Sequence, residues 1–175
     1  MPRNIEIKLR VDSIDALLPR ARALAGADAR TMLQDDSFFR VAHGRLKLRE
    51  FGDGSAELIH YLRVDDAEAR ASDYLRVPVA DAPALREALA RGCGLRGRVR
   101  KRRWLLMLGQ TRLHLDRVEG LGDFVELEVV LQDGQSDAEG RAIAAGWMQR
   151  LGLLQAPRVA VAYVDLLDAG GSTPA

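Results

Sequence analysis

From the fourth residue onward the chain alternates. In "NIEIKLR" Ile5, Ile7 and Leu9 fall on one side of an extended segment, and Asn4, Glu6, Lys8 and Arg10 on the other, a period of two that predicts a β-strand. The same period runs through "DSFFRV", "GRLKLREF", "AELIHYLRV", "DYLRVPV", "VRKRRWLLML", "TRLHLDRV" and "FVELEVVL". Short links rich in turn residues join several of these runs: "GDGS" at 52–55, "GQ" at 109–110 and "EGLGD" at 119–123. They predict hairpins, and with them a largely antiparallel sheet. Three segments carry a helical period instead. Asp12 or Ser13 opens the first, whose apolar set is Ile14, Leu17, Leu18 and Leu24, and Pro19 inside it predicts a kink or a later start. Asp81 caps the second, with Pro83 in its first turn. Ser136 and Glu139 have the spacing of a capping box for the third, which turns Ile143, Trp147 and Leu151 inward.

The polar faces of the strands are unusual. One alternating face carries Arg45, Lys47 and Arg49, another Glu57 and Arg63, another Arg112, His114 and Asp116, and another Glu126 and Glu128, while "VRKRRWLLML" offers Lys101 with Arg103 on one parity and Arg100 with Arg102 on the other. For any single strand, a solvated outer face accounts for such a pattern. Taken together, however, the charges separate by sign on different strands, and three cations in a row repel one another unless an anion lies among them. The alternative is a closed or nearly closed barrel, apolar outward against helices and charged inward around a tunnel. Arginines and lysines of that lining suit a chain of phosphates. The carboxylates suit a hard divalent cation, Mg²⁺ or Mn²⁺, which takes oxygen ligands.

Composition narrows the classes. The 26 Lys+Arg residues nearly balance 25 Asp+Glu, so a general nucleic-acid or anionic-membrane surface is not expected and any basic site is local. Aromatic residues make up 5% of the chain, too few among the basic strands for a single-stranded RNA platform. One cysteine, Cys93, excludes an internal disulfide framework, and no Cys/His cluster points to zinc. No secretory leader follows Met1 and no apolar run is long enough to span a bilayer, which predicts a soluble, cytoplasmic protein.

In order and spacing, "NIEIKLR", "DSFF" with "GRLKLRE", "ELIHYLR", "VRKRR", "HLDRVEGLGDFVELEV" and "AYVDLL" resemble the CYTH proteins, or triphosphate tunnel metalloenzymes, over about residues 4 to 167. The resemblance implies an α+β fold, an eight-stranded antiparallel β-barrel with helices packed outside, as one domain over residues 1–168 with a flexible tail at 169–175. It implies Glu6, Asp116, Glu126 and Glu128 as the metal set for Mg²⁺ or Mn²⁺, and Lys8, Arg10, Lys47, Arg49, Arg63, Lys101 and Arg103 as phosphate-binding cations. Glu6, Lys8, Arg63 and Glu126 would be catalytic, and Glu57 a further interior carboxylate. By parity Arg100 and Arg102 point outward, His43 and His60 lie at the surface, and Tyr163 anchors the C-terminal segment.

The implied activity is metal-dependent chemistry on a triphosphate-bearing small molecule. "IEIKLR", "HGRLKLRE" and "EGLGDF" are closest to the class IV adenylyl cyclase branch, which converts ATP to cyclic AMP and pyrophosphate. Inorganic, thiamine or nucleoside triphosphate hydrolysis is the alternative. The expected partner is this small molecule, with no nucleic acid and no membrane, and a homodimer is the one further assembly considered. Asn4 stands where the family pattern has a first Glu. An amide oxygen still coordinates a metal but brings no charge, and that change admits a third reading, a polyphosphate or nucleotide binder without catalysis.

Overall fold

The computed structural model describes residues 3–62 and 74–170. Eight strands form a single sheet in which each neighbouring pair is antiparallel: β1 (Asn4–Val11), β2 (Arg30–Phe39), β3 (Arg45–Phe51), β4 (Ala56–Tyr61), β5 (Tyr74–Pro78), β6 (Leu95–Leu108), β7 (Thr111–Val118) and β8 (Gly122–Val130). Their order is β1-β8-β7-β6-β2-β3-β4-β5. The helices are α1 (Ile14–Ala25), α2 (Ala82–Cys93), α3 (Asp137–Leu151) and α4 (Tyr163–Gly170).

The expected alternation decides which face is buried against what. On the convex face Leu9, Leu106, Leu113, Leu115, Val125 and Leu127 pack against Ile14, Leu17 and Ala21 of α1 and Met148 and Leu151 of α3. Trp104 joins this core, and Trp147 packs against it. Around the curve, Phe39, Leu48 and Ala56 meet Ala82, Leu85 and Leu89 of α2. The main cores therefore lie outside the curled sheet, which leaves its charged face to line the concavity.

The sheet is curled rather than strictly closed. The edge strands β1 and β5 are not ladder neighbours. Instead, residues 157–159 run along the outer edge of β1, where the Arg10 N–H donates to the Pro157 carbonyl and the Val159 N–H to the Lys8 carbonyl, both at 2.9 Å. α4 then enters one end of the concavity. Tyr163 and Val164 pack there against Phe38, Val99, Val118 and Phe124, all on the inward parity of their strands. Asp165 anchors α4 through ion pairs with Arg45 and Arg96.

The sequence expectation differs from the structure at three elements. α1 begins at Ile14 and runs through Pro19 without a late start. Pro19 and Asp15 both lie on the exposed face, so the carbonyl that loses its donor is left to water. β2 starts at Arg30, well before "DSFF". The segment "YVDLLDAG" is a fourth helix, so residues 169–170 end α4; the rest of the expected tail, 171–175, lies outside the described residues. The other helix starts are as expected: Ser13 and Asp81 accept from the backbone N–H three residues on, and Ser136 and Glu139 complete a capping box.

α3 approaches β1 closely because residue 140 has no side chain. A Cβ on Gly140 would stand 2.5 Å from Ile5 Cγ1 and 2.6 Å from Leu131 Cδ2. Gly140→Ala is expected to lower unfolding stability by about 1–3 kcal/mol through overpacking, read as a fall in the urea midpoint with an unchanged slope.

Candidate active site

Alternate residues drawn from all eight strands line one cavity of about 350 Å³. β1 contributes Asn4, Glu6 and Lys8, β8 Glu126 and Glu128, β7 His114, and β6 Lys101 and Arg103. Asp36 and Phe38 come from β2, Lys47 and Arg49 from β3, Ile59 and Tyr61 from β4, and Arg76 from β5. The C-terminal segment adds Arg158, Val159, Ala160, Ala162 and Tyr163. Seven basic side chains thus face four carboxylates across one space.

The carboxylates cluster on β1 and β8. Their register sets Glu6 opposite Glu128 and Lys8 opposite Glu126. Asn4 Nδ2 donates to Glu128 Oε1 at 2.6 Å, and Arg112 Nη1 donates to the same oxygen at 2.9 Å. Glu6 is pushed up to about 8 by the neighbouring Glu126 carboxylate, by burial and by a hydrogen bond with Glu126. Burial acts the same way on Glu126, but His114, Lys8, Glu6 and Arg103 together hold it well below the usual carboxylate range. The pair therefore carries one proton, on Glu6, at neutral pH. Arg103 Nη2 stands 3.7 Å from Glu126 Oε2, and His114 Nδ1 3.9 Å from Glu126 Oε1. The second distance is an electrostatic contact rather than a hydrogen bond. Burial and Arg103 push the His114 value down, which favours the neutral ring.

β3 and β6 hold two cation pairs, each clamped by a buried aspartate on the adjacent strand. Asp36 Oδ1 accepts from Arg49 Nε at 2.7 Å, and its Oδ2 from Arg49 Nη2 at 2.7 Å and Lys47 Nζ at 2.8 Å. Asp116 accepts from Arg103 Nε and Nη2, each at 2.6 Å, from Lys101 Nζ at 2.9 Å and from the Tyr163 hydroxyl at 3.0 Å. Burial opposes ionisation of both aspartates, but their cations outweigh it and keep both ionised. The lysines shift the other way. Burial and Arg49 bring Lys47 down to about 8 against the pull of Asp36, and burial and Arg103 bring Lys101 down to about 7 against the pull of Asp116.

Lys8 sits 4.3 Å above the centroid of the Tyr163 ring, so the C-terminal helix also forms part of the cavity floor. The Tyr163 hydroxyl, buried beside Asp116, is held protonated.

The structure brings together Glu6, Lys8, Lys47, Arg49, Lys101, Arg103, Glu126 and Glu128. Asp116 shares their face but lies behind the lining, fully buried under its three partners. Arg10 stays outside the cavity: its guanidinium lies over Phe124 and donates to the Leu121 carbonyl at 2.8 Å. Glu57 is opposite Arg49 in the β3–β4 register and does not line the cavity. Arg63 lies outside the described residues. Arg100 and Arg102 point outward, as parity requires. Asp36, Arg76 and Arg158 are additions. The clue to Arg76 was its place between Leu75 and Val77; Asp36 lies in β2, where the apolar Leu33 is exposed and the polar Gln34 is buried, so alternation gives no such clue.

The set is suited to a divalent cation by its chemistry. Among the described residues no three His, Cys, Asp or Glu side chains stand in ligating geometry around one point. Mg²⁺, however, is commonly held by one or two carboxylates with phosphate and water completing its shell. Glu6 and Glu126, two hard-oxygen groups that hold a proton between them, fit that requirement, and Glu128 lies directly across from Glu6.

Among the described residues no helix is long and apolar enough to cross a membrane. Comparison with curated proteins gives no match. Among solved structures, the PH1012 protein of Pyrococcus horikoshii shares 28% identity over 93% of this chain and 98% of its own, with a TM-score of 0.80. A Vibrio parahaemolyticus protein described as a candidate adenylate cyclase shares 20% identity over 95% of this chain and 98% of its own, at a TM-score of 0.76. A Hippeastrum protein described as a candidate adenylyl cyclase with a dominant triphosphatase activity shares 16% over 97% and 96%, at 0.70. These last two likenesses establish the fold alone. The CYTH domain family matches residues 2–163 of this chain, and by that match over nearly its whole length, on a curled eight-stranded sheet with a charged concavity, the protein belongs to that family.

Proposed function

We propose that this protein is a divalent-metal-dependent enzyme acting on a triphosphate-bearing small molecule. Its leading reaction is cyclisation of ATP to cyclic AMP and pyrophosphate. The observation that carries this reading is the meeting, in one cavity of about 350 Å³, of two clamped cation pairs and a proton-sharing carboxylate pair. The family is one of metal-dependent triphosphate tunnel proteins, which supports the substrate class.

Lys47 with Arg49 and Lys101 with Arg103 grip successive phosphates, the arginines through the N–H groups their aspartates leave unused. Lys8 neutralises the end of the chain nearest Glu126. Mg²⁺ or Mn²⁺, held by Glu6, Glu126 and Glu128, would supply charge neutralisation at the reacting phosphorus. Asp116 acts from behind by fixing the two cations of β6. No covalent nucleophile is needed, because positioning and electrostatics supply the catalysis. In cyclisation the ribose 3′-hydroxyl attacks the α-phosphorus and pyrophosphate leaves. Hydrolysis at a terminal phosphorus is the second reading, favoured by the triphosphatase activity described for the Hippeastrum neighbour.

Incubation with ATP, GTP, thiamine triphosphate and inorganic tripolyphosphate, each with Mg²⁺ or Mn²⁺, separates the readings by product. Cyclic AMP with pyrophosphate supports the first and orthophosphate the second, while tight binding without turnover leaves a binder. Glu126→Gln is expected to lower turnover by at least about 100-fold with the fold intact by circular dichroism.

Glu6→Gln is expected to remove turnover and yet stabilise the metal-free protein. Because the folded-state value of Glu6 is raised from 4.5 to about 8, its contribution to stability is full below pH 4.5 and is lost as pH rises through about 8. A neutral glutamine keeps that contribution. The Tm of Glu6→Gln should match wild type near pH 4, pull ahead across this window, and exceed it by at least about 3 °C at pH 8 in EDTA; equal melting curves at pH 8 would remove the shared proton from the account.

A further inference from the structure

The chain contains three lysines against 23 arginines, and Lys8, Lys47 and Lys101 all line the cavity. Every other basic side chain is an arginine, which keeps its charge in any surroundings, whereas a buried lysine loses its proton readily. Lysine is thus confined to the one place where holding the charge needs help.

At Lys47 that help is visible. The β2–β3 register sets Asp36 opposite Arg49 and Phe38 opposite Lys47. The ammonium lies 5.5 Å from the centroid of Phe38 and 5.7 Å from that of Tyr61. The other charged groups beside it are cationic, Arg45 and Arg49 on its own strand, Arg76 of β5, and Lys101 and Arg103 of β6; Glu57 of β4 stands opposite Arg49 and outside the cavity, and Glu6, Glu126 and Glu128 line the same cavity from β1 and β8. Among the described residues Asp36 is the carboxylate in hydrogen-bonding reach, at 2.8 Å, and it is 3% exposed. A buried carboxylate inside an anion site is a paradox if its only effect is repulsion. It makes sense if the alternative is an ammonium surrounded by cations, because that group discharges.

We propose that Asp36 is the positioning residue that keeps Lys47 in its ammonium form and joins it to Arg49 as one phosphate-gripping unit while the cavity is empty. The negative charge therefore strengthens polyphosphate binding at neutral and mildly alkaline pH. The cavity's ligand class is that of the function proposed above, and this inference rests on it for that part only.

Protein labelled with ¹³C at lysine Cε gives three signals, and Lys47→Arg assigns one of them by its disappearance. In the ligand-free wild type the Lys47 signal is expected to titrate at about 8. In Asp36→Asn its midpoint should fall by at least about one pH unit, while the Lys8 signal keeps its place and reports an intact barrel. Asp36→Glu should return the midpoint toward wild type, a rescue that packing alone would not predict. Asp36→Ser is the second neutral variant should the amide prevent folding. A Lys47 midpoint that stays or rises in the neutral variants overturns the proposal.

Binding of inorganic tripolyphosphate in EDTA gives the second readout. Asp36→Asn is expected to bind at least about fivefold more weakly than wild type at pH 8 and no more weakly at pH 6. Tighter binding at both pH values, or equal loss at both, also overturns it. Wild-type protein that binds no tripolyphosphate defeats the triphosphate reading instead, and the lysine titration then decides the role of Asp36 by itself.

Discussion

Four cations, Lys47, Arg49, Lys101 and Arg103, are packed into one wall of a largely buried cavity, and each must be compensated when no ligand is there. Two aspartates do this with the same construction. A Lys-x-Arg pair on one strand presents both side chains to the same face, and an aspartate on the adjacent strand stands directly across from the arginine: Asp36 from Arg49, Asp116 from Arg103. Sheet register alone thus places the carboxylate where it reaches both cations. The arrangement spreads outward, because Asp116 also holds the Tyr163 hydroxyl, which fastens α4 to the interior of the sheet.

The carboxylate wall obeys the opposite constraint. Glu6 and Glu126 are like charges at close quarters, and Glu6 keeps a proton rather than ionise beside its neighbour. A cation in their place would remove that repulsion, so the residues least favourable to the empty fold are those assigned to the metal. Asn4 moderates the cost: as an amide it donates to Glu128, where a glutamate would have added a fourth carboxylate to the wall.

Much of this was legible because period two is simple to read and charge segregated by strand is rare. The inward faces of β1, β3, β7 and β8 follow directly from alternation, whereas β6 has cations on both parities, and the outward setting of Arg100 and Arg102 followed from the family resemblance. β2 was harder because its polarity is inverted. Leu33 is 52% exposed while Gln34 and Asp36 are 4% and 3% exposed, so a hydrophobicity pattern points the strand the wrong way and hides Asp36. Parity also names a face without saying how far along the cavity a residue lies. Arg10 and Arg45 share the inward parity of Lys8 and Lys47, yet Arg10 is drawn to Phe124 and Arg45 to Asp165. Asp116 was placed on the correct face, but only the three-dimensional packing reveals that its oxygens are already taken.

The C-terminal segment gives the cavity its direction. Residues 157–159 cover the free edge of β1, and α4 fills one end of the concavity with Tyr163 and Val164. Of the lining cations, Arg76 and Arg158 are exposed, while Lys101 and Arg103 are buried. Positive charge therefore runs as a continuous track from the exposed rim into the buried interior. Both aspartates lie along this track rather than at its rim. They stand where Lys47 and Lys101 are largely buried, at the points where an ammonium most needs a counter-charge to keep its proton.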